Sequence, residues 1–563
     1  MFIIEIILWG KNHHPHQVST GTASDITPRP ARDLLSLSAS HELVASAMLQ
    51  AFIAGREWAV LSFAVLSAFA LACTVARSCF VVSQPGAKPH KQAKEFAAFQ
   101  RSYLTVYVVI MLADWMQGTH MYTLYDSYAK EEGSSVQIGT LFFTGFMAAG
   151  VLGTFTGPLV DKYGRKRACL VYVALEVMIN MLEHVNSMTW LLVGRVLGGI
   201  STSLLFSAFE AWMVTEHRSR GFPEDWIGKT FGQCAVWNGA TAIAAGFLAQ
   251  VTSDALGDIG PFQLAIALTL LAGVLIMPWS ENYGGEAGGQ EGASAESSEG
   301  LLAAWRTVRA SRGLLVVGAV YALFEGAMYT FVFNWVPTLA EALGGFAHIA
   351  PVQGLLFSCL MAAISIGGEL YSLAFHFVAV EVIGVAIFAL SCICMLVPVV
   401  CGYYGCGIHA SFGVHFTAFL GFEMCVGAFQ PCVATHRSKY VPDAQQSTVN
   451  NLFRFPLNML VAAGTVLSDY LPPYLVFGMC ASAHALATLF QAQLAISAAA
   501  QAPPSAASKT AASSKASAAG KAKGEPRRRA ASPKVATKAS QGLKKPSPSK
   551  SPKRATSPKV KRA

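Results

Sequence analysis

The sequence predicts an all-α membrane protein: six plus six transmembrane helices, with one extra span on the N-terminal side. Three observations carry this. Hydrophobic residues make up 53% of the chain and charged residues only 13%, where a soluble protein carries about a quarter. Thirteen apolar runs approach the roughly 20 residues that a helix needs to cross a bilayer. After the sixth of the last twelve runs, residues 280–312 are rich in Gly, Ser and Glu, a composition that buries no core and acts as a flexible linker.

In chain order, residues 1–57 form an extension with a short apolar run, Phe2 to Trp9, followed by polar sequence expected to be poorly ordered. The extra span covers 58–82. Lys88, Lys91, Lys94 and Arg101 follow it and mark a cytosolic flank. Six spans make an N-terminal bundle over 102–279: 102–125, 136–160, 168–186, 189–214, 229–252 and 261–279. Six more make a C-terminal bundle over 313–497: 313–338, 351–374, 377–400, 410–434, 445–467 and 473–497. Residues 498–563 are a disordered tail with 17 Lys and Arg against the single Glu525. The formal net charge of +9 therefore belongs to the tail, and the remainder is acidic.

Cations gather in alternate connections. Lys162, Arg165, Lys166 and Arg167 follow the second of the twelve spans, Arg218, Arg220 and Lys229 the fourth, Arg306, Arg309 and Arg312 the sixth, and Arg437 and Lys439 the tenth. The opposite side offers Lys130 and little else. By the positive-inside rule the basic loops and the C-terminus are cytosolic and the N-terminus is extracytosolic, with the plasma membrane the expected location. The cysteines lie mostly in apolar runs and form no CxxC pair, and neither a nucleotide loop nor a nucleophile elbow is present. An enzyme is not expected, nor a metal or cofactor.

Gly157-Pro-Leu-Val-Asp161-Lys-Tyr-Gly164-Arg165-Lys166-Arg167 is a basic turn between two membrane-length runs, too short for a domain. Gly164 allows a tight turn, and Asp161 can face the helix N-terminus that follows. Asp161, Gly164, Arg165 and Lys166 are therefore expected to form a gate, with Glu210 near the same end as a latch for the arginines.

Polar residues inside spans are costly in hydrocarbon, so they should face a cavity or a partner. Asp114, Arg195, Ser201, Thr202, Asn238, Glu325, Glu423 and Arg454 are of this kind. Asp114 and Glu325 each lie 12 residues past their expected span starts, and Asn238 and Arg454 each nine, as two related halves around a central site would place them. Arg454 is the first choice for an anion, because a guanidinium offers a fixed fork of donors. Arg195, Ser201, Thr202 and Asn238 can add hydrogen bonds, or else Arg195 neutralises Asp114 and the small polar residues pack helices. Asp114, Glu325 and Glu423 are candidates for carrying a proton during a cycle. Pro456, two residues from Arg454, marks a place where a helix can break and expose backbone groups.

The Asp161–Lys166 loop resembles the signature between helices 2 and 3 of the major facilitator superfamily. Asp114-Trp-Met-Gln117, the run Gly194 to Trp212, Glu216-His217, Phe222-Pro-Glu-Asp-Trp226, Trp237-Asn238, Glu281-Asn-Tyr283, Ala322-Leu-Phe-Glu325 and Asn451 to Leu457 resemble the molybdate-anion transporter branch of that superfamily. The likeness covers residues 58–497. It implies a major facilitator fold and a secondary transporter that takes up molybdate, a tetrahedral oxyanion, by alternating access. The connection near Phe375 lacks a second Gly-Arg-Lys loop, which departs from a gate symmetric in the two halves. The readings kept beside molybdate are another solute, namely sulfate, another anion or a sugar, and a non-transporting receptor or scaffold of the same fold. The partners expected are the oxyanion and the lipid bilayer. Alone, Ser-Pro-Lys repeats such as Ser532-Pro-Lys534 would read as a nucleic-acid-binding arm; tethered beneath a membrane, the basic tail is expected against anionic lipid, with no nucleic acid partner.

Overall fold

A computed structural model describes residues 53–81, 92–283, 305–404, 408–441 and 446–501. The tail, most of the N-terminal extension and most of the central linker lie outside the described residues. Fifteen helices are bounded: α1 (Glu57–Val81), α2 (Ala93–Ala129), α3 (Ile138–Tyr163), α4 (Arg165–Leu182), α5 (Met188–Leu205), α6 (Ala208–Ser219), α7 (Asp225–Leu256), α8 (Gly260–Ile276), α9 (Arg312–Ala342), α10 (Phe346–Ile349), α11 (Gln353–Ala374), α12 (Val380–Tyr404), α13 (Ile408–Tyr440), α14 (Gln446–Tyr470) and α15 (Pro473–Gln501). Among the described residues, nine helical stretches are long and apolar enough to cross a membrane, and two shorter apolar stretches lie in α3 and α8. Backbone groups have no water partner in hydrocarbon, so helices that satisfy their own are the form such apolar runs take.

Helices α2 to α8 pack on one another, and α9 to α15 do likewise. Packing against lipid gives little hydrophobic gain, so the interior is built on dispersion and ring contacts. Phe324 stacks on Phe429 at 3.8 Å in one group, and Trp212 on Trp279 at 3.7 Å in the other. The groups meet through α7 with α11 and α3 with α14, with smaller contributions from α2. Helix α1 lies outside both, against α11.

One expected span is broken. The run 189–214 divides into α5 and α6 at Phe206–Ser207. Thr202, Ser203 and Ser207 each turn their hydroxyl back to a carbonyl four residues earlier (2.9, 3.0 and 2.6 Å), a habit that bends helices. The expected break at Pro456 is not seen, because α14 runs through it as continuous helix.

The basic turn of the sequence is a capped junction. Gly164 ends α3 and begins α4 with φ +106°, and a Cβ there would stand 2.7 Å from the Glu281 carboxylate. Glu281, just past α8, accepts from the backbone N–H of Lys166 (2.9 Å) and Arg167 (3.2 Å), two of the orphan donors at the start of α4. The Arg165 N–H donates to the Asn282 carbonyl at 2.9 Å, and the Arg165 guanidinium reaches the Ala211 carbonyl (3.3 Å) and the Thr215 hydroxyl on α6. The second half does this with the charges reversed. Glu381, in the first turn of α12, receives Lys439 and the Tyr440 hydroxyl (3.0 Å) from the end of α13.

Replacing Gly164 by Val adds side-chain strain at a positive φ and a clash with Glu281. The expected loss is about 1–3 kcal/mol, read as a lower thermal midpoint in detergent. Glu281→Ala removes only the cap and should lower stability by about 1 kcal/mol.

Candidate functional site

The contacts joining the two groups gather at one end of the bundle. Gly246 on α7 lets α11 approach so closely that a Cβ would lie 2.5 Å from the Gly354 carbonyl. The Ser358 hydroxyl donates to the Ile243 carbonyl (2.8 Å), and the Gly354 N–H donates to Gln250 (2.9 Å). Gln353 donates to the Thr119 carbonyl (2.7 Å) and accepts from Thr123 (2.6 Å) on α2. Tyr122 and Phe142 meet Phe333 edge-on at 5.5 and 5.0 Å, and Asp469 of α14 accepts from the backbone of Gly139 at the start of α3. These residues occupy the C-terminal halves of α2, α7, α9 and α14 and the N-terminal halves of α3 and α11, so they share one end.

Towards the other end, polar and aromatic side chains within the apolar stretches are exposed, among them Thr202, Phe206, Glu210, Trp237, Gln430 and Arg454. Arg454 on α14 reaches the Tyr321 hydroxyl on α9, and that hydroxyl also stands beside the Glu325 carboxylate. Gln430 on α13 donates to Glu325 at 3.5 Å, and the Arg437 guanidinium lies 5.7 Å from the centre of the Tyr321 ring. The Arg454 and Arg437 guanidinium groups thus both lie near enough to the Glu325 carboxylate to act on it electrostatically.

The facing group is acidic. Glu176 on α4 is buried and accepts from Gln117 (3.1 Å) and Ser201 (2.5 Å). Arg195 pairs with Glu183 at 2.6 Å, and the Tyr125 hydroxyl donates to the same carboxylate at 2.9 Å. A buried pair of this kind is held in place because breaking it leaves a bare charge. Asp114 makes no hydrogen bond or ion pair among the described residues. A small cavity of about 130 Å³ in the same group is lined by Tyr103, Tyr107, Phe206, Glu210, Phe231 and Cys234.

The family model described as sugar transporters with 12 transmembrane segments matches residues 63–422. A molybdate-anion transporter of Xenopus laevis is 34% identical over 410 residues, which are 70% of this chain and 85% of that protein. One from Danio rerio is 30% identical over 440 residues, 72% of this chain and 86% of that protein. The chain belongs to the molybdate-anion transporter family. In fold it is similar to the nucleoside transporter NupG (TM-score 0.55, 13% identity, 70% of this chain and 98% of that one). A D-xylose-proton symporter is equally similar (TM-score 0.54, 12% identity, 70% of this chain and 97% of that one). The fold is that of the major facilitator superfamily.

Within this molybdate-anion transporter family member, the residues singled out in the sequence fall into three places. Arg454 and Glu325 share the cationic cluster. Asn238 accepts from the Trp115 indole at 3.0 Å, within the α2 to α8 group, and Glu423 is buried in α13 without a hydrogen bond or ion pair among the described residues. Arg195, Ser201 and Thr202 are committed elsewhere, to Glu183, Glu176 and the Gly198 carbonyl. The alternative pairing of Arg195 with Asp114 is replaced by Glu183, whose position at the end of an expected span disguised it as a loop residue.

At the junction, Gly164, Arg165 and Lys166 are latched as a unit, and the Asp161 side chain lies outside the described residues. The latch carboxylate is Glu281, because Glu210 faces the aromatic cavity and not the arginines. Arg437 was legible only as a loop cation. Equal depth does not carry over from the expected starts, since α2 begins at Ala93: Asp114 lies 21 residues along it, and Glu325 13 along α9.

Arg195→Met alone leaves Glu183 buried without its partner and should destabilise the protein by about 3–5 kcal/mol. The double variant Arg195→Met with Glu183→Met should recover most of that loss in the same thermal unfolding measurement.

Proposed function

We propose that this protein is a secondary transporter that carries molybdate into the cytosol by alternating access, two helix groups rocking about the space between them. The observation that carries the proposal is the pair of arginines, Arg454 and Arg437, around Tyr321 on the exposed side of α9, in a family whose named members are molybdate-anion transporters. A tetrahedral dianion matches the fork of donors on a guanidinium, with Gln430 and the Tyr321 hydroxyl able to complete its hydrogen bonds. Glu325 neutralises part of the cluster when no solute is bound. The basic loops mark the open end as cytosolic, which makes this arrangement the inward-facing one, in the plasma membrane with the N-terminus outside. Asp114 has no counter-cation and is the proposed proton carrier, whereas Glu325 is occupied with the arginines. The tail is proposed to rest on anionic lipid.

The test is uptake of radiolabelled molybdate into proteoliposomes, with sulfate and a sugar as competitors. Arg454→Ala should lower uptake at least tenfold and Arg454→Lys less, while a sugar leaves uptake unchanged. Accumulation of a sugar and not molybdate would refute the reading. With Asp114→Asn, uptake should lose its response to an imposed pH gradient while exchange of internal for external molybdate persists. An unaltered response would remove Asp114 from the coupling role.

A further inference from the structure

Helix α1 lies outside the two groups, yet it touches both at the line where they close. Phe63 stacks on Phe247 of α7 at 6.1 Å, and Ala70 with Leu66 packs against Ala362 and Ile366 of α11. Further along, Thr74 donates to Glu369 of α11 at 3.3 Å. At its N-terminal end Arg56 pairs with Asp254 of α7 at 2.5 Å.

Asp254 is the outer member of a chain that crosses the seam. Its other carboxylate oxygen accepts from the Gln250 amide at 2.9 Å. Gln250 is fully buried, and it donates to the Ala350 carbonyl (3.1 Å) and accepts from the Gly354 N–H (2.9 Å) where α11 begins. The amide is thereby oriented by Asp254 with its nitrogen towards Ala350 and its oxygen towards Gly354. Arg56 holds Asp254 in the position that does this.

We infer that α1 is a strap over the closed seam, acting through Arg56 on the Asp254–Gln250 clasp to hold α7 against α11 and so favour the state open at the opposite end. Parting the seam requires Gln250 to release Ala350 and Gly354, and it requires α1 to leave either Phe247 and Asp254 or α11. A helix that must give up contacts on one side whenever the groups rock adds to the cost of that motion. The inference rests on the rocking of the two groups and is independent of which solute is carried.

The experiment uses full-length protein in lipid nanodiscs without solute, its reactive cysteines replaced by serine. Nitroxides are placed at Glu132→Cys and Glu341→Cys, exposed positions near the closed end on opposite sides of the seam. Pulsed EPR reads the distance between them. Arg56→Ala should raise the population with separated labels about fivefold, as loss of one partly exposed ion pair allows. Arg56→Lys, which keeps the cation and leaves Asp254 in place to orient Gln250, should stay close to the native distribution, and Leu61→Ala, on the outward face of α1, should leave it unchanged. An unaltered distribution in Arg56→Ala, or an equal shift in Leu61→Ala, would overturn the inference. Because no solute is present, neither result depends on the molybdate reading.

Discussion

A charge placed between helices in hydrocarbon must find a partner or a wet surface, and the arrangement of this protein follows from how each group of helices meets that requirement. The group α2 to α8 meets it internally for Arg195, which Glu183 and the Tyr125 ring enclose. In the group α9 to α15, Arg454 and Arg437 lie near Tyr321 and Glu325, on the side where the helices part. The proposed anion site lies at that cluster. The opposite end is sealed mainly by neutral hydrogen bonds, rings and glycine contacts, with Asp469 and the Asp254–Gln250 clasp as its charged members.

The two halves also solve one mechanical problem in two ways. A short turn joins the second span of each half to the third, and the start of the third must stay fixed to its neighbours while the whole half moves as a body. In the first half Glu281 caps α4 and Arg165 reaches α6; in the second Glu381 receives Lys439. The missing Gly-Arg-Lys copy near Phe375 is therefore replaced by an ion pair of reversed polarity. Each latch stays inside its own half, so neither has to break when the seam between the halves opens.

Much of the fold was legible because the bilayer imposes a length on every apolar run, and composition alone reports it. The break at Ser207 was less visible, since it depends on three hydroxyls bonding back to their own helix. Of the site, Arg454 and Glu325 could be read from charge in mid-span. Glu183, Glu281 and Arg437 could not, because each sits at the end of a helix, where a charged residue ordinarily meets water. Only the chain's return to the same place gives Glu183 its arginine, Glu281 its helix start and Arg437 its tyrosine ring. The strap formed by α1 was visible as an extra span, but its purchase on both groups is a tertiary fact.

The most direct measurement of the central claim is anomalous scattering at the molybdenum edge from crystals of the protein grown with molybdate, which locates the metal atom without reference to any transport assay. The account predicts a single strong peak between the Arg454 and Arg437 guanidinium groups, beside Tyr321, absent from crystals of Arg454→Ala. A peak among the acidic residues of α2 to α8, or no peak at saturating molybdate, would contradict it.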